Sequence, residues 1–352
     1  MKTNQKFIDQ VSFAEREQQI AGASKRGAGI MMCLLALLIT VFFYTPVSAQ
    51  RFSKKALSDE ELVKKMPGFK NGFATVNGVK LHYVAGGTGK ALVLLPGWPE
   101  TWWSYSKIMP ALASKYHVIA IDYRGMGTSD KPAEGYDKKT IAGDIYGLLH
   151  QLGYEKAFIA GHDIGAQVAF SVAANHSELV EKLIIMDVPH PDESFAAVLM
   201  LPALGTPTDK LDPARPFLWW FAFNQMRGLP EDLLEGRFEM AQKYIFHYLL
   251  ADDRSIGPFD RAVYANAYNT RDAIRAGNGW YQAFSKDIAD YKTYEKLTMP
   301  VLGIGGPGYD WLRFTLPNKT TDLKIEKIEN SGHFIAEEQP ETVIRDILQF
   351  LN

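Results

Sequence analysis

Residues 158–169 read FIAGHDIGAQVA, and this stretch decides the fold. It opens with a short apolar run of the kind that forms a buried strand, and it continues with the composition of a helix. Gly161 and Gly165 flank Asp163 at the spacing small-x-Asp-x-Gly. Such glycines let a strand-to-helix turn tighten until the central side chain projects from it. Asp163 is therefore a candidate nucleophile, although an isolated pattern of this kind also fits an aspartate that caps a helix.

Short apolar runs alternate with amphipathic stretches along the rest of the chain. The strand-like runs are residues 79–84, 91–95, 117–122, 157–160, 182–186, 300–304 and 323–328. Such strands separated by helices indicate an α/β fold, in which a mostly parallel sheet is covered by helices on both faces. Residues 191–291 lack a strand-like run and are rich in aromatic residues, so we predict a helical lid there. The predicted core comprises residues 50–190 and 292–352.

The composition is that of a globular protein. Of 352 residues, 47% are hydrophobic, and the formal net charge is -2. This balance offers no excess of basic residues to neutralise phosphates, so we predict no nucleic-acid partner. Cys33 is the single cysteine, which excludes a disulfide within the chain and a cysteine-based metal site.

An apolar run, IMMCLLALLITVFFY at residues 30–44, precedes the predicted core. It is shorter than the roughly 20 residues that a transmembrane helix needs. A basic pair at residues 25–26 precedes this run, and the small-x-small sequence VSA at residues 47–49 follows it. These features predict a secretory signal peptide, residues 1–49, with export to the periplasm or the medium. An uncleaved N-terminal membrane anchor is the alternative.

Three further segments lie where predicted strands end. Residues 94–102, LLPGWPETW, follow one apolar strand, and residues 122–129, DYRGMGTS, follow the next. Residues 330–334, NSGHF, come after the last strand and place His333 at its end. Together with Asp163, and in this order, these segments resemble the α/β-hydrolase superfamily, specifically its epoxide hydrolases and dehalogenases with an aspartate nucleophile. The resemblance implies an α/β-hydrolase fold with an inserted helical lid.

The resemblance assigns Asp163 as the nucleophile and His333 as the general base. Epoxides and alkyl halides present a saturated carbon, at which a carboxylate displaces the leaving group and becomes an ester. His333 would then deprotonate a water that attacks the ester carbonyl, and the amides of Trp98 and Ile164 would stabilise the oxyanion. The implied partners are a small apolar epoxide or halide and water, with no cofactor and no metal.

A general base of this type needs an orienting carboxylate, and two aspartates are candidates. Asp187 ends the strand after the nucleophile helix, where a subset of these relatives carries its acid. Asp310 lies after the next core strand, where most relatives carry theirs, but Pro307 and Gly308 make that loop irregular. We favour Asp187 and keep Asp310 as the alternative.

The lid distinguishes epoxides from halides. Residues 279–282, GWYQ, are similar to the segment in which epoxide hydrolases place a tyrosine, so Tyr281 is the expected donor to the epoxide oxygen. An alkoxide is a poor leaving group and needs such an acid far more than a halide does. The family's second lid donor, Tyr or His, is expected in residues 217–224, FLWWFAFN, which offer tryptophans instead. The predicted substrate pocket contains Trp102, Trp219, Trp220 and Phe221.

These features predict hydrolysis of an apolar epoxide to a vicinal diol through an aspartyl ester. A dehalogenase acting on alkyl halides or haloacids is the alternative, since indole N–H groups solvate halides. Against it, Ile164 follows the nucleophile where haloalkane dehalogenases generally have Trp, and Ile164 and Gln167 stand where fluoroacetate dehalogenases carry arginines. A secreted, non-catalytic binding module is a third possibility, which the presence of both Asp163 and His333 disfavours. The sequence leaves the oligomeric state open.

Overall fold

The computed structural model describes residues 52–198 and 200–352. The predicted signal peptide or anchor, residues 1–49, lies outside the described residues, so export stays a prediction. In the described part of the chain, no helix combines the length and the apolarity that crossing a bilayer requires.

An eight-stranded sheet forms the centre of the described residues. Its strands are β1 (Phe69–Val76), β2 (Val79–Gly86), β3 (Ala91–Leu95), β4 (His117–Asp122), β5 (Ala157–His162), β6 (Val180–Met186), β7 (Val301–Gly305) and β8 (Leu323–Lys327). They lie in the order β1-β2-β4-β3-β5-β6-β7-β8. The pairs β1–β2 and β2–β4 are antiparallel, and all the other pairs are parallel. The predicted α/β class with a mostly parallel sheet is confirmed.

Helices connect and flank these strands. They are α1 (Asp59–Val63), α2 (Met109–Leu112), α3 (Lys138–Gln151), α4 (Ile164–Asn175), α5 (Trp219–Gln225), α6 (Leu229–Leu234), α7 (Glu239–Leu249), α8 (Pro258–Ala267), α9 (Arg271–Gln282), α10 (Phe284–Thr293), α11 (Tyr309–Thr315), α12 (Ile335–Glu338) and α13 (Pro340–Leu351). Short 3-10 turns lie at Lys54–Leu57, Trp102–Tyr105, Glu193–Ala197 and Leu316–Asn318. Between β6 and β7 the described residues form helices α5 to α10 and no strand. The last of these, α10, ends just beyond residue 291, where the predicted lid ends.

The central strands are buried because helices cover both faces of the sheet. Every residue of β3, β5 and β7 is buried, as their uninterrupted apolar sequences predict. Strands β3 to β8 run parallel, so their carboxyl ends meet at one edge of the sheet. The loops that follow β3, β5, β6 and β8 carry Trp98, Asp163, Asp187 and His333, and this edge is where α/β folds bind ligands.

Strand β1 was missed by the sequence analysis. Its sequence, FKNGFATV, is partly polar, and much of the strand is exposed because it lies at the sheet edge and pairs with β2 alone. Asn77 and Gly78 form the turn to β2 with positive φ angles of 50° and 76°. An Asn-Gly pair is a strong sequence signal for a tight hairpin, and it could have revealed this strand.

A buried ion pair joins the helices that follow β6 to the core. Lys138 Nζ, at the start of α3, lies 2.9 Å from Asp287 Oδ2 in α10, and it also donates a hydrogen bond to the carbonyl of Trp280 in α9. Both charged side chains are fully buried. Removing one partner of such a pair typically costs ~3–5 kcal/mol, because a buried charge is left uncompensated. Lys138 therefore ties α10 to the core through the ion pair, and it ties α9, the helix that carries Tyr281, through the hydrogen bond.

Candidate active site

A strained turn presents Asp163 between β5 and α4. Its backbone has φ 52° and ψ −123°, a region that non-glycine residues rarely occupy. The flanking glycines make this turn possible, because a Cβ on Gly161 would lie 2.1 Å from the Gly165 carbonyl oxygen. A Cβ on Gly165 would lie 2.0 Å from the Leu95 carbonyl oxygen. Such strain costs about 1–3 kcal/mol, and it places the Asp163 carboxylate at the N-terminus of α4.

Backbone amides and a histidine surround the Asp163 carboxylate. The Trp98 amide donates to Oδ1 at 3.0 Å, and the Ile164 amide also interacts with this carboxylate. Oδ2 lies 3.6 Å from His333 Nε2. Burial alone would raise the pKa of Asp163, but the nearby positive charge of His333 and the backbone amide of Ile164 outweigh it and lower the pKa below the ordinary value. The carboxylate is therefore ionised at neutral pH, as a nucleophile must be.

Asp187 contacts His333 directly. His333 Nδ1 lies 2.6 Å from Asp187 Oδ2, and both side chains are buried. Asp187 follows β6 with a positive φ of 63°, and its Oδ1 accepts hydrogen bonds from the amides of Gly306 at 2.8 Å and Gly308 at 2.9 Å. A Cβ on Gly308 would lie 1.7 Å from the Asp187 carbonyl oxygen, so this approach requires glycine.

Asp310, the alternative acid, is not the hydrogen-bonding partner of His333. Its side chain is 88% exposed at the start of α11, and its Oδ1 is 3.5 Å from Arg313 Nη1. The structure thus brings Asp163, Asp187 and His333 together and leaves Asp310 at the surface.

A cavity of about 170 Å³ opens above these three residues. Its wall is mainly apolar, and its lining residues include Trp98, Val188, Leu211, Leu218, Trp220, Phe221, Leu249, Tyr281 and Trp311. Asp163 and Tyr281 both line this cavity. A small apolar molecule in this cavity would therefore meet a carboxylate, an imidazole and a phenol.

Comparisons with known proteins identify the family of this chain. A sequence profile for the alpha/beta hydrolase fold matches residues 90–340. The chain belongs to the α/β-hydrolase family. It is 34% identical over 286 residues to a soluble epoxide hydrolase from a Corynebacterium species, which covers 79% of this chain and 95% of that protein.

Two further comparisons involve whole-length relatives of this α/β-hydrolase. The AB hydrolase superfamily protein YfhM of Bacillus subtilis is 33% identical over 299 residues, which covers 81% of this chain and 99% of that protein. A solved structure of the epoxide hydrolase CorEH without ligand superposes with a TM-score of 0.72 at 31% identity, over 80% of this chain and 98% of that one. The chain is therefore a hydrolase.

The histidine of this α/β-hydrolase carries a proton in the resting state. Burial would lower the pKa of His333, but the hydrogen bond to Asp187, together with the nearby negative charges of Asp163 and Asp187, raises it to about 10. The imidazolium therefore points Nδ1 at Asp187 and Nε2 at Asp163. To act as a base, His333 has to lose this proton, and neutralising Asp163 favours that loss.

Tyr281 is a buried residue of the cavity wall. Burial and the nearby charge of Asp163 raise the pKa of its hydroxyl well above the ordinary value, while a hydrogen bond with Trp220 acts in the opposite direction. The phenol is therefore protonated at neutral pH. Gln225 in α5 donates to the Tyr281 carbonyl at 2.8 Å, which ties the helix carrying Trp220 to the helix carrying Tyr281.

The predicted pocket residues divide into two groups. Trp220 and Phe221 line the cavity, whereas Trp219 and Trp102 lie outside it. Trp219 packs against Tyr244 with a ring distance of 5.6 Å, because adjacent residues of α5 point in different directions. The Trp102 indole donates to Asp59 Oδ1 at 2.7 Å, next to α1. The prediction that Trp219 and Trp102 line the pocket was wrong.

The sequence analysis assigned no functional role to Glu100 or to His162. His162 Nε2 lies 2.8 Å from the carbonyl of His333, so this nitrogen carries the hydrogen and fixes the His333 backbone. His162 Nδ1 lies 3.7 Å from the buried carboxylate of Glu100. The sequence signals that point to them are the position of His162 directly before Asp163 and the position of Glu100 in the turn after β3.

A histidine with two aspartates also gathers outside the cavity. Ligand atoms of Asp59, His82 and Asp122 lie within 4.8 Å of one another. These atoms already make protein hydrogen bonds, since His82 Nδ1 is 2.9 Å from Asp122 Oδ2 and Thr128 donates to Asp59 Oδ2 at 2.7 Å. The cluster therefore joins α1 to the sheet, and the atoms that could bind a metal ion already make hydrogen bonds within the protein.

Proposed function

We propose that this enzyme hydrolyses a small apolar epoxide to a vicinal diol through an ester on Asp163. The observation that carries this proposal is the shared cavity, which is lined both by an ionised aspartate on a strained turn and by a buried, protonated tyrosine. A carboxylate suits attack at saturated carbon, and a phenol suits protonation of the leaving oxygen. The epoxide hydrolases among the relatives, at 34% and 31% identity, add support.

In the first step, Asp163 attacks one ring carbon, and the bond from that carbon to the epoxide oxygen breaks. The oxygen takes the proton of Tyr281, and Asp163 becomes a neutral ester. Losing this negative charge lowers the pKa of both Tyr281 and His333, because the Asp163 charge is among the causes that raise them. The His333 imidazolium then transfers a proton to the Tyr281 phenolate. This transfer restores the phenol and leaves His333 as a neutral imidazole.

In the second step, the neutral His333 takes a proton from water, and the resulting hydroxide attacks the ester carbonyl. The amides of Trp98 and Ile164 stabilise the oxyanion, since they already lie against this carboxyl group. Collapse of the tetrahedral intermediate breaks the bond between the carbonyl carbon and the alkoxide oxygen. The alkoxide takes the proton of the Asp163 carboxyl group and leaves as the diol. Asp187 holds His333 in the required orientation and tautomer throughout.

Halide displacement is the second candidate function. The observation that favours it is the position of Trp220 in the cavity wall. Its indole lies in the cavity wall with Tyr281, and two such donors would solvate a departing halide. An indole is too weak an acid to protonate an alkoxide, so Trp220 adds little to epoxide opening. Among the cavity-lining residues that the structure describes, none is Lys or Arg, so a haloacid would lack a cationic partner.

A paired activity screen tests the proposal. The full chain is incubated with styrene oxide and, separately, with (2-bromoethyl)benzene, and diol and bromide release are measured. We expect diol formation that Asp163→Ala abolishes, with slower bromide release. Bromide release faster than diol formation would favour the dehalogenase. A rate of diol formation in Asp163→Ala equal to that of the wild type would contradict Asp163 as the nucleophile.

A further inference from the structure

We propose that Asp310 selects substrates by charge, so that the cavity accepts neutral or cationic epoxides and disfavours epoxides that carry a carboxylate. This inference rests on the proposed function and names the substrate class of the same cavity. Asp310 lines the cavity together with Pro307, Gly308 and Trp311, yet its side chain is 88% exposed. Its carboxylate therefore stands at the mouth, where a substrate substituent remote from the epoxide ring would lie.

The charges in the cavity wall have one dominant sign. Asp163 and Asp187 are opposed by one imidazolium, His333, which leaves one negative charge, and Asp310 adds a second. Among the described residues of this wall, none is Lys or Arg. Walls of low polarity focus this negative potential toward an entering ligand.

Arg313 weakens the field of Asp310 without cancelling it. Its Nη1 lies 3.5 Å from Asp310 Oδ1, and the side chain is 60% exposed and lies outside the cavity wall. Both groups are solvated, and exposed pairs of this kind interact weakly. Asp310 lines the cavity and Arg313 does not, so a ligand at the mouth would lie closer to the negative residue of the pair.

The expected size of the effect follows from the exposure of Asp310. Two like charges roughly 8 Å apart in a mostly aqueous setting disfavour each other by about 2- to 5-fold in binding. The Debye length falls from about 10 Å at 0.1 M salt to about 3 Å at 1 M, so high salt should suppress the effect.

Two isosteric substrates measure this selection. We would compare kcat/KM of the full chain for 4-(oxiran-2-yl)benzamide, which is neutral, and 4-(oxiran-2-yl)benzoate, which is anionic. The wild type should prefer the amide. Asp310→Asn should raise the benzoate-to-amide ratio of kcat/KM by about 2- to 5-fold, and Asp310→Lys should raise it further. Both gains should shrink at 1 M salt.

Asp272→Asn is the matched control. Asp272 also pairs with an arginine three residues along, at 3.5 Å, and its side chain is 75% exposed, but it lies outside the cavity wall. An unchanged ratio in both Asp310 variants, or an equal change in Asp272→Asn, would overturn the inference. If the amide is turned over and the benzoate-to-amide ratio of kcat/KM does not change in the Asp310 variants, only charge selection is refuted. If neither epoxide is turned over, the proposed function is refuted as well.

Discussion

The carboxylate of Asp187 lies 2.6 Å from His333 Nδ1 and holds the imidazole from the side opposite Asp163. The other Asp187 oxygen accepts two backbone amides, from Gly306 and Gly308, so the carboxylate has little freedom to turn away. A histidine fixed in this way presents Nε2 to the ester that would form on Asp163. The orientation of the base is therefore built into the loops after β6 and β7.

Replacing Asp187 by Asn should slow hydrolysis of the Asp163 ester by about 10²- to 10⁴-fold, because the amide favours the wrong imidazole tautomer. Alkylation of Asp163 should be affected much less. Pre-steady-state measurement of diol release separates the two steps. Asp310→Asn is the control, and we expect it to slow hydrolysis of the ester less than Asp187→Asn does. A larger loss in Asp310→Asn than in Asp187→Asn would assign the orienting role to Asp310.

The ionisation of His333 should depend on Asp163. The pKa of His333, about 10 in the resting enzyme, should fall toward its ordinary value in Asp163→Asn, since one of the two carboxylate charges is removed. NMR titration of the imidazole carbon-bound protons measures both values. A pKa that stays near 10 in Asp163→Asn would mean that Asp163 has no part in protonating His333.

The same raised pKa makes stability depend on pH. The folded protein binds the His333 proton more tightly than the unfolded chain does, so this stabilisation is complete below about pH 6.5 and is lost as pH rises through about 10. The difference in free energy of unfolding between wild type and His333→Gln should therefore shrink across that window. Denaturant unfolding at pH 6, 8 and 10 checks it, and a difference that grows with pH would have the wrong sign.

Tyr281→Phe should slow alkylation of Asp163 by an epoxide by about 10²- to 10⁴-fold, because the developing alkoxide loses its proton donor. Alkylation by a matched alkyl bromide should hardly change, since bromide leaves without a proton. Single-turnover adduct formation with both substrates gives the comparison. Equal losses for the two substrates would mean that Tyr281 only shapes the cavity.

Gly161→Ala should destabilise the protein and distort the turn, because its Cβ would meet the Gly165 carbonyl oxygen at 2.1 Å. Overpacking of this kind costs about 1–3 kcal/mol or more. Gly143→Ala in α3 is the matched control, since its Cβ would enter open space and alanine favours a helix by about 1 kcal/mol. Thermal unfolding of both variants tests the account, and equal behaviour would contradict it.

The sequence predicted the features that depend on local patterns. Apolar runs located β2 to β8, and two glycines with one aspartate located the strained turn. Choosing between Asp187 and Asp310 needed the structure, because both follow core strands and only the path of residues 306–310 decides which carboxylate reaches His333. Neither residue's spacing in the chain contains that information.

The pocket was harder to predict than the fold for a similar reason. Trp219 and Trp220 are neighbours in sequence, and the phase of α5, which sequence does not fix, sends only Trp220 into the cavity. Trp102 follows the turn that carries Trp98, but its short 3-10 helix faces α1 instead. Long-range contacts such as His162 with His333 join segments far apart in the chain, and no local pattern predicts them.

Trapping the ester that Asp163 is proposed to form with the substrate gives direct evidence for the nucleophile. His333→Gln lacks the base for hydrolysis but keeps the nucleophile, so incubation with styrene oxide should accumulate a covalent adduct. Mass spectrometry of the digested protein should find the mass of one substrate on the peptide that contains Asp163, and Asp163→Ala should show none. No adduct in His333→Gln, or an adduct on another peptide, would contradict the account.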